Sequence, residues 1–114
     1  MKATIWHNPK CSKSRQALAT LEEHPDIDLE IVEYLKNPPS RDTLAQLYRT
    51  AGMKPADGLR LSGTDAKERG LPDADDEEVL DAMAADPKLI ERPLVQTGKG
   101  VRLCRPPEKI KEIL

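Results

Sequence analysis

The densest chemistry in this chain lies in nine residues, His7-Asn8-Pro9-Lys10-Cys11-Ser12-Lys13-Ser14-Arg15. The segment before them, ATIW at residues 3–6, is short, apolar and partly β-branched, the composition of a buried strand. From Ser12 onward Ala17, Leu18 and Leu21 recur at helical spacing. Cys11 therefore stands where a strand, a tight loop fixed by Pro9 and a helix meet. A sulfur at a helix start faces N–H groups that lack intrahelical partners, together with the positive end of the helix dipole. Both favour the thiolate, and cysteine pKa values in such places fall from ~8.5 towards ~3.5–7.5. The same donors can hold an oxyanion beside the sulfur. Ser14 and Arg15, three and four residues on, project from the helix face nearest Cys11. His7, at the strand end, could donate to the thiolate or hold a positive charge near it. Singly, each residue has an ordinary reading: a small buried hydrophobe, a structural histidine, a solvated arginine. Their joint placement is what argues for a catalytic set of Cys11, His7, Ser14 and Arg15.

Spacing separates this loop from two other thiol chemistries. A phosphatase loop of the form Cys-x5-Arg wraps backbone amides around phosphate before its arginine. Counting from Cys11, that position holds Ala17, and Arg15 falls two residues early. A dithiol oxidoreductase needs a second cysteine at position 14, where the hydroxyl of Ser14 cannot form a disulfide. The site is monothiol, so a resolving thiol must be Cys104 or come from another molecule. With no Cys-x-x-Cys, Cys-x-x-His or His-x-x-x-His spacing, no metal site is expected.

The rest of the chain must position this loop. Its 114 residues fit one domain. Net charge is −2 with both signs interspersed, so nothing global attracts nucleic acid or an anionic membrane. Trp6, Tyr34 and Tyr48 are too few for a base-stacking platform. No apolar run approaches the ~18 residues of a membrane span, and MKATIWHNP lacks a signal peptide's apolar stretch. A cytoplasmic location, with neither nucleic acid nor membrane as partner, is expected.

After the first helix, which Pro25 stops near His24, LEIVEY (29–34) alternates as a second strand, with Leu29, Ile31 and Glu33 on one face. NPPS (37–40) is a break, and Ser40 caps a helix through about Ala51 with Leu44, Leu47 and Tyr48 on one side. The stretch from Gly52 to Asp75 reads as short helical pieces punctuated by Pro55, Gly58, Gly63, Gly70 and Pro72. Asp75 caps a helix with an acidic first turn and an inward stripe of Val79, Leu80 and Met83. RPLVQT, TGKG and VRLC form a strand, a turn and a partner strand. Pro106 and Pro107 then open a last helix that docks Ile110, Ile113 and Leu114. The order is β-α-β, a helical insert at about 40–87, then β-β-α. This is an α/β chain of thioredoxin-like order, with a mixed central sheet.

Four segments together resemble the glutaredoxin-dependent arsenate reductase (ArsC) family over almost the full chain. They are HNPKCSKSR (7–15), GLRLSGTDAKERGL (58–71), PKLIERPLV (87–95) and RLCRPPE (102–108). The resemblance implies a thioredoxin-like fold with a helical insert. It also implies an oxidoreductase in which a Cys11 thiolate attacks arsenate or a related oxyanion. Glutathione, a co-substrate rather than a bound cofactor, then forms a mixed disulfide with Cys11, and glutaredoxin reduces it. The family's arginine triad for binding substrate would fall on Arg60, Arg92 and Arg105, three guanidiniums suited to a tetrahedral dianion. His7 would match the histidine that helps keep the thiolate charged, and Arg92-Pro93 the bond where thioredoxin-like folds carry a cis-proline. If Arg105 reaches the anion pocket, strand alternation sends Cys104 into the core, leaving glutathione to supply the second thiol. Two other readings stay open. One is a regulator of the Spx type that binds RNA polymerase without catalysis, although many of those carry Cys-x-x-Cys at this loop. The other is a glutathione-linked thiol transferase with a different substrate.

Overall fold

In the computed structural model, which describes residues 1–114, the apolar run ahead of Cys11 forms strand β1, Lys2–His7. β1 is an inner strand. It pairs in parallel with β2 (Asp28–Glu33) and antiparallel with β3 (Leu94–Thr97), and β3 pairs antiparallel with β4 (Gly100–Leu103). The strand order β2-β1-β3-β4 gives a mixed sheet, with β-α-β before the helical segment and β-β-helix after it. That is the thioredoxin-like arrangement expected from the sequence.

The chain divides into two compact units, residues 1–37 with 92–114, and residues 38–91. In the first unit, helix α1 (Ser12–Glu22) turns Ala17 and Leu21 onto Ala3 and Ile5 of β1, and Val95, Cys104, Ile110 and Ile113 complete the cluster. Each large aliphatic side chain buried there contributes about 1.5–3 kcal/mol. The closing segment differs from the expected α-helix: Pro107–Ile113 is a 3-10 helix. Residues three apart eclipse in that geometry, so Ile110 and Ile113 stack on one side and both are buried. Thr97 Oγ1, itself buried, donates to the carbonyl of Ile113 (2.5 Å) and ties this segment to β3. β2 shows a second difference. Leu29 and Ile31 share the inward face through their pairing with Ala3 and Ile5, yet Ile31 stays 46% exposed because β2 is an edge strand.

In the second unit, the caps follow from local chemistry. Ser40 Oγ accepts the Thr43 amide (3.1 Å) at the start of α2 (Arg41–Ala51), which Gly52 ends in the left-handed region at φ 71°. Asp75 accepts the Glu78 amide (2.8 Å) at the start of α3 (Asp76–Ala85). Arg41 ion-pairs with Glu77 and Asp81, tying the exposed side of α2 to α3. Between the helices, the stretch least legible in the sequence contains one-turn 3-10 helices at Pro55–Gly58 and Leu71–Asp73.

At Gly58 that stretch lies directly against Tyr48 of α2. A Cβ there would lie 2.5 Å from Tyr48 Oη and 2.6 Å from its ring carbons. Tyr48 is buried at 1% exposure and cannot swing away. Gly58→Ala is therefore expected to destabilise the fold by about 1–3 kcal/mol, the usual penalty of overpacking. Denaturant unfolding beside Gly98→Ala, where a Cβ meets nothing within 4 Å, checks this. Equal stability of the two variants would refute it.

Candidate active site

The loop between β1 and α1 is closed by the Cys11 amide, which donates to the carbonyl of Asn8 at 3.0 Å. That bond leaves Cys11 extended, at φ −96° and ψ 122°, in the N-cap position of α1. Its sulfur makes no cap hydrogen bond of full geometry, but the first-turn amides still bear on it. Burial raises the thiol pKa, since Cys11 is only 7% exposed. The Ser14 amide, the charge of Arg92, the Lys13 amide and the hydrogen bond from Arg105 act the other way, and together they win. The net result is a thiol more acidic than an ordinary cysteine.

Arg92 and Arg105, far apart in sequence, converge here because β3 and β4 are antiparallel partners. Arg92 lies two residues ahead of β3, and Arg105 two residues past β4. Arg105 Nη1 lies 3.7 Å from Cys11 Sγ and also donates to the Arg92 carbonyl at 3.2 Å. The peptide bonds Arg92-Pro93 and Arg105-Pro106 are both cis, the second unforeseen in the sequence. A buried sulfur flanked by amide dipoles and two guanidiniums has the surroundings that favour a thiolate and can attract an anion beside it.

The other sequence candidates divide. His7 Nδ1 and Ser14 Oγ are 2.7 Å apart, both buried, with one proton bridging them. Ser14 Oγ also accepts the Asn8 amide at 3.0 Å. Burial is the main cause lowering the His7 pKa; Arg15 lowers it further, while Glu33 and Glu22 pull it up. At neutral pH the ring is uncharged, so the positive charge near the sulfur comes from the arginines. Arg15 does not turn to Cys11. Its Nη1 donates to the Pro9 carbonyl at 2.9 Å, bracing the loop from outside. Arg60 belongs to the 38–91 unit, where its Nε donates to the Ser62 carbonyl at 3.1 Å. Cys104 is fully buried in the core, and burial pushes its pKa up to about 12. Asn8, absent from the sequence candidates, is buried at 6% and sits amid these hydrogen bonds. The Asn-Pro dipeptide, a turn signal, was the available hint. No three His, Cys, Asp or Glu side chains gather where they could hold a metal ion, and no helix is long and apolar enough to cross a membrane.

Comparison with known proteins shows the family of the chain. The ArsC family model matches residues 6–113. The arsenate reductase of Rhizobium meliloti is 47% identical over 116 residues, covering 100% of this chain and 82% of that protein. The uncharacterized protein YfgD of Escherichia coli is 41% identical over 113 residues, covering 96% of this chain and 94% of its own length. The solved structure of an arsenate reductase from Vibrio cholerae superposes with a TM-score of 0.91 at 42% identity, covering 100% of this chain and 98% of that one. With the match running from Trp6 to Ile113 and these relatives aligned nearly end to end, the chain belongs to the ArsC family.

Proposed function

We propose that this chain reduces arsenate to arsenite, with Cys11 as nucleophile. The observation that carries the reading is the acidified Cys11 thiol, held at a helix start with Arg105 at 3.7 Å. The Cys11 thiolate attacks arsenic, forming an S–As bond as one oxygen leaves as water. Glutathione thiolate then attacks the Cys11 sulfur. The S–As electron pair stays with arsenic, which becomes As(III), and a Cys11–glutathione disulfide forms. A glutaredoxin thiol takes the glutathionyl group and returns Cys11 to the thiol. Arg92 and Arg105 hold the oxyanion against the sulfur, and Arg60 joins them on the family resemblance alone. His7 and Ser14 hold the loop's first helical turn, and Arg15 braces its outer side. The buried, hard-to-ionise Cys104 favours an external second thiol.

The direct test is arsenate-dependent NADPH oxidation in a mixture of glutathione, glutaredoxin and glutathione reductase. Turnover is expected in wild type, its loss in Cys11→Ser, and its retention in Cys104→Ala. Activity that disappears with Cys104→Ala would make the chemistry an internal dithiol cycle. No arsenate turnover, together with reduction of a glutathione mixed disulfide, would favour the thiol transferase reading.

The pH dependence has a definite sign. A thiol acidified in the folded protein becomes reactive at lower pH than free cysteine. The alkylation rate of Cys11 should therefore reach half its maximum below ~8.5. A midpoint at or above that value would leave the protein without its nucleophile.

Removal of a guanidinium should weaken the oxyanion more than it weakens the fold. Arg92→Ala and Arg105→Ala are each expected to raise the KM for arsenate roughly 10–150-fold, matching the ~1.5–3 kcal/mol of a charge-assisted hydrogen bond. Arg60→Ala in the same assay decides whether the third arginine takes part. An unchanged KM in any variant removes that residue from the site.

A further inference from the structure

Asn8 uses every polar group it has inside the loop. Its amide donates to Ser14 Oγ at 3.0 Å, and its carbonyl accepts from the Cys11 amide at 3.0 Å. Its Oδ1 accepts from the Lys10 amide at 3.0 Å, and its Nδ2 donates to Tyr34 Oη at 3.4 Å. Tyr34 is completely buried just after β2, so the last contact fastens the loop to a rigid part of the unit. The bond to Lys10 is an Asx turn nested within the backbone turn that the Cys11 amide closes. Together they commit the loop amides of residues 8, 10 and 11 to partners within the unit. The amides of Lys13 and Ser14, one turn on, are the ones that bear on the sulfur.

We propose that Asn8 is a positioning residue: anchored by Tyr34, its side chain holds the 8–11 turn so that the Cys11 sulfur stays over the first-turn amides of α1 and beside Arg105. It touches neither the sulfur nor, on this reading, the substrate. The role deepens the function proposed above and rests on Cys11 being the reactive thiol. Alanine at position 8 keeps the backbone bond to Cys11 possible but removes the acceptor for Lys10 and the link to Tyr34. The turn then loosens, and the sulfur samples positions away from the groups that stabilise its charge. Those groups are Arg92 ahead of β3, Arg105 after β4, and the Lys13 and Ser14 amides of α1. Asn8→Ala changes none of these charges, so a change in Cys11 ionisation reports its position.

The experiment is thiolate titration by ultraviolet absorbance and by alkylation rate, in wild type, Asn8→Ala and Tyr34→Phe, with Tm measured for each. Cys104, buried and ionising at about 12, stays silent over the range. Asn8→Ala is expected to raise the Cys11 midpoint by about one pH unit, the scale of one lost interaction with a charged group. Tyr34→Phe should raise it by less, in the same direction. A purely structural role would lower Tm and leave the midpoint alone. If Asn8→Ala does not fold, Tyr34→Phe and Asn8→Ser, which keeps a short acceptor but loses Nδ2, carry the same comparison. A low wild-type midpoint that is unshifted in the folded variants overturns the role of Asn8 only. A wild-type midpoint at or above ~8.5 overturns the Cys11 reading and the Asn8 role with it.

Discussion

A sulfur as buried as that of Cys11 should keep its proton, because removal from water penalises the charged form. Here the start of α1 reverses that outcome. Two first-turn amides and two guanidiniums outweigh the burial, and they act together only because the chain turns sharply between β1 and α1. The sheet serves this junction. β1 brings the loop in from the middle of the sheet, while the β3–β4 hairpin delivers Arg92 and Arg105 from its two ends.

Cys104 shows the same thiol chemistry without that junction. It lies one residue past β4, surrounded by Ile5, Val95, Ile110 and Ile113, and burial dominates its ionisation. Its neighbour Arg105 turns the other way, to Cys11. Adjacent residues on opposite sides of the chain thus separate a core cysteine from a site arginine. The contrast between two cysteines of one chain lies in the environment of each sulfur, not in residue type.

Much of this was legible wherever the signal is local. β1, α1, the Ser40 and Asp75 caps and the hairpin turn all follow from patterns within a few residues. The position of Cys11 at the helix start follows from the same short range. What escaped depends on distant partners. Spacing puts Arg15 on the helix face toward Cys11, but a long flexible side chain reaches whichever acceptor is nearest, and that is the Pro9 carbonyl. Asn8 reads as a turn residue until Tyr34, 26 positions away, arrives beside it. Ile31 alternates correctly and is still exposed, because only the strand order reveals that β2 is an edge. The final helix has the expected apolar residues in a tighter winding, since a spacing of three suits a 3-10 helix.

The state of His7 bears on how this site treats anions. A histidinium beside Cys11 would make the local charge vary across neutral pH. Burial instead keeps the ring neutral, and its contact with Ser14 spends it on geometry. The charge near the sulfur comes from arginines and from backbone dipoles. Above the range in which His7 loses its proton, the Cys11 thiol is the group at this junction whose charge still changes. An anion approaching the loop meets the same positive field throughout, until the thiolate forms and adds its own repulsion. On the proposed reading, the guanidiniums serve two anions in succession, the bare thiolate and the oxyanion that comes to it. A bidentate donor such as arginine can do this by sharing its N–H groups between them, as Arg105 already divides its Nη1 between the Cys11 sulfur and the Arg92 carbonyl.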